Sequence, residues 1–249
     1  MALAIGAAQA VPRRGDVAEN VQRHLRLVRL AARHDVQALV FPELSLTGYE
    51  LDLAESLAFS EDDARLEPLL RAASDHEMVL VVGAPIRLAS GLHIGAFIGY
   101  PDSATAVYTK HHLGGEEGQV FQPGDRNPLV KLTDATGAVA ICADTNLPSH
   151  ARNAAARGAT VYLAGVVFSP AEFGLSTGKL QAAASEHSMT VALANAGGPA
   201  STLESAGGSS VWSESGELVA RYEGLGAGVA IGIKAGSGWV GRVVAGDGC

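Results

Sequence analysis

The sequence predicts an α/β fold, with mixed β-sheets stacked in a layered sandwich. Three observations carry this. Strand-like and helix-like segments alternate through the first two thirds of the chain, as in βα units. Segments 93–99 and 104–109 read instead as a strand pair joined by Tyr100-Pro101-Asp102-Ser103, a turn composition, so the sheets are not purely parallel. Segments such as 79–82 and 161–164 are apolar on both faces, as strands covered on both sides are. A sandwich in which each sheet has helices on one face and a second sheet on the other satisfies all three.

The elements follow in order. Leu3, Ile5 and Ala7 alternate in a first strand over 2–8. After a polar turn, Val21, Leu25, Val28 and Ala32 fall at helical spacing in a helix over 17–34, with Asp16 as its N-cap. Residues 38–41 form a buried strand that stops at Pro42. A helix over 62–74 and a strand over 78–83 precede the hairpin-like pair. A Gly- and Glu-rich loop then runs to Pro123-Gly124-Asp125. Strand 138–142, helix 149–157 and strand 159–164 make one βα unit, and helix 177–187 with strand 190–195 makes another. Short strands over 209–213, 218–222 and 228–233 close the sequence. With no linker, low-complexity tract or repeat, the chain reads as one domain over 1–249.

Composition narrows the function classes. Charged residues make up only 18%, below the usual quarter, which leaves apolar surface for a multilayer core or a subunit contact. The formal charge is −8 and the basic residues are scattered, so neither a nucleic-acid stripe nor a membrane-surface patch is expected. There are two cysteines, Cys142 and the terminal Cys249, which gives no disulfide framework and fits a reducing cytoplasm. The opening MALAIGAAQA is too short to span a membrane and lacks a basic leader.

Three residues stand at strand ends, where α/β sites form. Cys142 ends strand 138–142 ahead of a turn and helix; a lone cysteine is more often a small core hydrophobe, but this position favours chemistry. Asp144 and Asn146 in that turn read as caps for helix 149–157. Glu43 closes strand 38–41; alone it reads as a solvated loop carboxylate, and partly buried it suits a general base. Lys110 closes strand 104–109, as a surface lysine or as an ammonium aimed at developing negative charge. Glu116 and Glu117 lie in the next loop. The eight histidines have no metal-ligand spacing, and His111 and His112 point to opposite faces if they lie on a strand. Gly224-Leu225-Gly226-Ala227-Gly228 leads into a strand, not a helix, and reads as a turn, not a dinucleotide loop.

Taken together, Phe41-Pro42-Glu43 with Thr47-Gly48-Tyr49, Tyr108-Thr109-Lys110-His111-His112-Leu113, Phe121-Gln122-Pro123-Gly124 and Ile141-Cys142-Ala143-Asp144 resemble the carbon–nitrogen hydrolase (nitrilase) superfamily. The resemblance continues in residues 154–159, 207–210 and 214–218 and so covers nearly the whole chain. It implies a four-layer α-β-β-α sandwich with two mixed β-sheets, a homodimer or higher homo-oligomer, and no metal or other cofactor. It places the family's triad on Glu43 as base, Lys110 as oxyanion stabiliser and Cys142 as nucleophile, and its assisting Glu on Glu117. Ala143, through its backbone N–H, and Val166 and Val167 would contact the substrate. The sequence departs from many members at Ala143, where an aromatic is common, and at Leu147-Pro148-Ser149, where Phe-Pro-Glu is common. Both departures touch substrate choice and leave the triad intact.

The activity implied is hydrolysis of a small amide with release of ammonia through a Cys thioester. Hydrolysis of an N-carbamoyl amide or a nitrile are the alternatives within the class, with an amine acyltransferase a further one. A papain-like Cys–His protease lacks its signature around Cys142. A non-catalytic small-molecule binding or scaffold protein on the same fold is the rival of another class.

Overall fold

The structure is a computed structural model and describes residues 3–201 and 203–246. Cys249 lies outside the described residues.

Thirteen described strands form two sheets. The first has seven strands in the order β13 (Gly238–Ala245), β12 (Gly228–Ala235), β1 (Ala4–Gln9), β2 (Ala38–Val40), β3 (Val79–Leu88), β4 (Gly91–Gly99) and β5 (Thr105–Thr109). The second has six, in the order β11 (Leu218–Arg221), β10 (Ser210–Trp212), β9 (Thr190–Asn195), β8 (Val161–Val166), β7 (Thr136–Ile141) and β6 (Leu129–Lys131). Strands β1–β2–β3 and β7–β8–β9 are parallel and the flanking pairs antiparallel, so both sheets are mixed. The parallel crossovers are made by helices: α1 (Val17–Ala32), α2 (Ala54–Leu57) and α3 (Glu67–Asp75) for the first sheet, α4 (Pro148–Ala156) and α5 (Pro170–His187) for the second.

Residue parity shows the layers, because successive strand side chains point to opposite faces. In β3, Val79 and Val81 join the core between the sheets, while Leu80, Val82, Ala84 and Ile86 pack with Leu27, Val28, Leu69 and Ala73 of α1 and α3. In β8, Val161 and Leu163 face the first sheet, while Tyr162, Ala164 and Val166 pack with Ala151, Ala154, Leu180 and Ala184 of α4 and α5. The order is helices, sheet, sheet, helices, as the sequence implies.

Several elements differ from the sequence expectation. Helix α5 starts at Pro170, not 177, because Ser169 and Glu172 cap it: the Glu172 carboxylate accepts from the Ser169 hydroxyl at 2.7 Å and its N–H at 3.3 Å. Strands β6 and β13 were not expected; β13 is an edge strand with Val240 and Val243 exposed. Strand β7 ends at Ile141, and Cys142 opens a short 3₁₀ turn, Cys142–Asn146. Among the described residues no helix is long and apolar enough to cross a membrane.

Candidate active site

Glu43 is carried between the sheets by a backbone segment held on three sides. Pro42 has no N–H to continue the ladder and ends β2. The chain then turns, with Leu44 at φ 51° and Leu46 N–H donating to Gly83 O at 3.0 Å. A Cβ on Gly83 would lie 2.5 Å from Pro42 O and 2.6 Å from Leu44 N, and one on Gly165 would lie 2.5 Å from Phe41 O. One glycine from each sheet thus lets the Glu43-bearing loop pass. On the third side, α1 supplies buried polar groups. Asn20 donates to Leu46 O at 3.1 Å, and His24 meets Ser45 Oγ at 2.9 Å and stacks on Phe41 at 4.3 Å. Burial pushes His24 down to about 4, so it is a neutral strut.

Lys110 follows β5 and is fully buried. Its Nζ donates to Glu43 Oε1 at 2.6 Å and to both oxygens of Glu117, at 2.7 and 2.8 Å. Glu117 is 1% exposed, whereas Glu116 faces solvent, so the structure brings Glu117 to the lysine. Glu117 also accepts from Tyr49 OH and from Gly114 N–H, each at 2.8 Å. The sequence alone does not mark Tyr49 as a site residue. Its signal was present in Thr47-Gly48-Tyr49, where Gly48 (φ 81°) makes the turn that returns Tyr49 to the site.

Cys142 sits at φ 42°, a left-handed conformation that a non-glycine residue adopts at a cost of order 1–3 kcal/mol and that clusters at active sites. Strand direction therefore ends at the sulfur, and the 3₁₀ turn begins there. The residue keeps some surface, and Val167 N–H hydrogen-bonds to its sulfur. Ala143 is half-buried and lies against the Gly114 turn, where a Cβ on the glycine would meet its Cβ at 3.7 Å. Val167 packs with Tyr49, Ala196 and Ala200 beside the sulfur. Val166 is the helix-side residue of the β8 alternation and is fully buried in that core. Asn195 fixes this loop, accepting from Phe168 N–H at 2.8 Å and donating to Gly207 O at 2.7 Å.

The electrostatics follow from burial. Burial pushes Glu43 up to about 7; Lys110 opposes this and Glu117 adds to it. Burial works against the Lys110 ammonium, but Glu43, the cysteine and Glu117 outweigh it and hold its pKa above the usual lysine range. Burial, then the Glu43 carboxylate, pushes the Cys142 thiol well above its usual value, against Lys110 and the Val167 N–H. The resting sulfur is a thiol. Among the described residues, Glu43 Oε2 is buried and has no hydrogen-bond partner.

Two further expectations are revised. Asp144 and Asn146 do not cap α4, whose N-cap position is Leu147 with no side-chain bond. Asp144 turns inward and is fully buried, and Asn146 Oδ1 accepts from Lys179 at 3.0 Å. His111 and His112 lie beyond the end of β5, not on a strand, and their rings stand 6.2 Å apart. His150 joins them at 5.8 and 6.4 Å, with its nitrogens bonded to the hydroxyls of Tyr108 and Tyr162.

Known proteins share this sequence pattern and this fold. The carbon–nitrogen hydrolase family profile matches residues 4–232. An (R)-stereoselective amidase from a Pseudomonas species is 31% identical over 62% of this chain and 57% of its own. A hydrolase in the pqqF 5′ region of Pseudomonas protegens is 31% identical over 85% of this chain and 76% of its own. The chain thus spans little more than half the length of the first. Among solved structures, the NitN amidase from Nesterenkonia sp. AN1 superimposes with a TM-score of 0.81 at 28% identity, covering 92% of this chain and 91% of that one. With the family profile matched over nearly its whole length, the chain belongs to the carbon–nitrogen hydrolase family, within the nitrilase superfamily.

Proposed function

We propose that this protein is an amidase that releases ammonia from a small amide, in one catalytic domain, with Cys142 as nucleophile. The observation that carries the reading is one buried ammonium, Lys110, held by two buried carboxylates beside a thiol at a strained strand end. Glu43 takes the thiol proton as Sγ attacks the carbonyl carbon, and the carbonyl π electrons move to oxygen. Lys110 Nζ and the Ala143 N–H stabilise that oxyanion, each donor worth about 3 kcal/mol. The tetrahedral species collapses, the C–N bond breaks, and the proton on Glu43 leaves with the nitrogen as ammonia. Water, deprotonated by Glu43, then adds to the thioester and releases the acid and the thiol. Glu117 accepts four hydrogen bonds, from Lys110, Tyr49 and Gly114, and holds the lysine in register between the two carboxylates. None of these steps calls for a metal or organic cofactor.

Support for an amide over a nitrile comes from the relatives. In a variant of the Nesterenkonia amidase the active-site cysteine carries acrylamide, and in another the acetamide moiety of fluoroacetamide. An N-carbamoyl amide and a nitrile remain alternative substrates on the same machinery. The same reading places the protein in the cytoplasm and pairs it as a homodimer, for which exposed Leu147 and Leu175, beside α4 and on α5, supply apolar surface.

The test is intact-protein mass spectrometry after incubation with amides, N-carbamoyl amino acids and nitriles, with ammonia followed in parallel. A Cys142 adduct with ammonia release is expected from the amides. Neither signal across the panel, together with a thiol inert to iodoacetamide, would favour a non-catalytic binding protein.

A further inference from the structure

We propose that Asp144 is a positioning residue of the hydrolytic site, one carboxylate that sets the distance between the nucleophile and the lysine by bonding to the backbone or side chains flanking both. The inference rests on the reading of Cys142 and Lys110 given above.

Asp144 is fully buried, yet no lysine or arginine pairs with it among the described contacts. Its oxygens are instead met by four donors. Oδ2 accepts from Ile141 N–H at 3.1 Å and Tyr108 OH at 2.7 Å. Oδ1 accepts from His112 N–H and meets His112 Nδ1, both at 2.9 Å. Ile141 and Asp144 lie on either side of Cys142 in sequence, and Tyr108 and His112 on either side of Lys110. A single carboxylate therefore brackets both reactive residues, which belong to different sheets.

The bracket is itself anchored. Tyr108 donates to Asp144, so its oxygen is free to accept from His150 Nε2–H at 3.0 Å, which leaves His150 Nδ1 to accept from Tyr162 OH at 2.8 Å. This assigns one tautomer to a neutral His150, in keeping with the burial that lowers its pKa. The chain of bonds runs from β8 through α4 to β5 and ends on the nucleophile turn. His111 stacks on Tyr108 at 5.4 Å. A carboxylate buried with a full set of donors is costly to alter, because each donor it releases is left unpaired.

The test uses the full chain and iodoacetamide as probe, with alkylation of Cys142 followed by mass from pH 5 to 9. In Asp144→Asn one oxygen becomes an NH₂ group facing donors, at unchanged volume. We expect the maximal alkylation rate to fall at least about tenfold, toward the roughly 100-fold that a 1 Å misplacement costs. Half-saturation should move less than about threefold, and the acid limb of the pH profile should shift. Wild-type rates and profile would overturn the proposal. So would a lower Tm with both unchanged per folded molecule, since that is a purely structural role. If Asp144→Asn does not fold, Tyr108→Phe removes one donor and keeps the carboxylate. A fall of about three- to tenfold is then expected, and no fall would overturn the proposal. Failure of the wild-type protein to alkylate or release ammonia would instead strike the hydrolase reading itself.

Discussion

The raised pKa of Glu43 makes a quantitative claim about rate. In the proposed mechanism Glu43 accepts the Cys142 proton only as a carboxylate, and burial has moved its titration to about 7. On that value about 1% of the carboxyl is ionised at pH 5, roughly a tenth at pH 6 and about nine tenths at pH 8. Lys110 and Cys142 are both pushed upward and do not titrate in this interval. The specificity constant for an amide should therefore rise nearly tenfold per pH unit below 7 and level off above 8. The assay is kcat/KM for ammonia release from pH 5 to 8.5, with Glu43→Gln alongside. Stability should run the opposite way. A carboxyl whose folded pKa lies above its ordinary 4.5 takes up a proton on folding. Its contribution is present below pH 4.5 and is lost as pH rises through 7, at most about 3 kcal/mol for the full shift. Glu43→Gln should flatten that slope. A flat rate profile between pH 5 and 8, or an unchanged acid limb in residual Glu43→Gln activity, would refute the reasoning.

Other expectations are narrower. Cys142→Ser should keep its Tm within a few degrees and lose at least about 10³ in kcat. Lys110→Ala should cost about 3–5 kcal/mol by chemical denaturation as well as activity, because it strands Glu43 and Glu117 as buried carboxylates. Gly165→Ala should slow turnover while the far-ultraviolet spectrum is preserved, since its methyl collides with Phe41 O and displaces the base; full activity would show that the loop yields freely. His24 is buried and neutral with its pKa lowered to about 4, so its contribution is present above pH 6.5 and lost as pH falls through 4. His24→Gln should remove up to about 3 kcal/mol of that acid sensitivity, measured as Tm against pH.

The sequence carried the outline of the site because its members sit at strand ends, and strand ends are marked by Pro42, by the hairpin-like turn and by the change from apolar run to polar turn. It carried less where distance in the chain hides contact. Asp144 reads as a local cap because Asx residues usually serve nearby backbone; its partner His112 is 32 residues away. Ending β8 at 164 left Val166 and Val167 together in a loop; extending it to 166 sends them to opposite faces by alternation alone. Pro170 and two glycines masked the first turns of α5, although Ser169 and Glu172 already spelled a capping pair. Edge strand β13 alternates weakly, because both its faces are largely exposed.

Glu43 and Lys110 come from the first sheet, Cys142 and Val167 from the second, and Gly83 and Gly165 mesh with the loop that lies between. Neither sheet alone holds the residues that the proposed mechanism needs. Activity is thus a clock for the docking of the two sheets rather than for their formation. During refolding, secondary structure should return first, and turnover should appear only with the slower burial of the inter-sheet core.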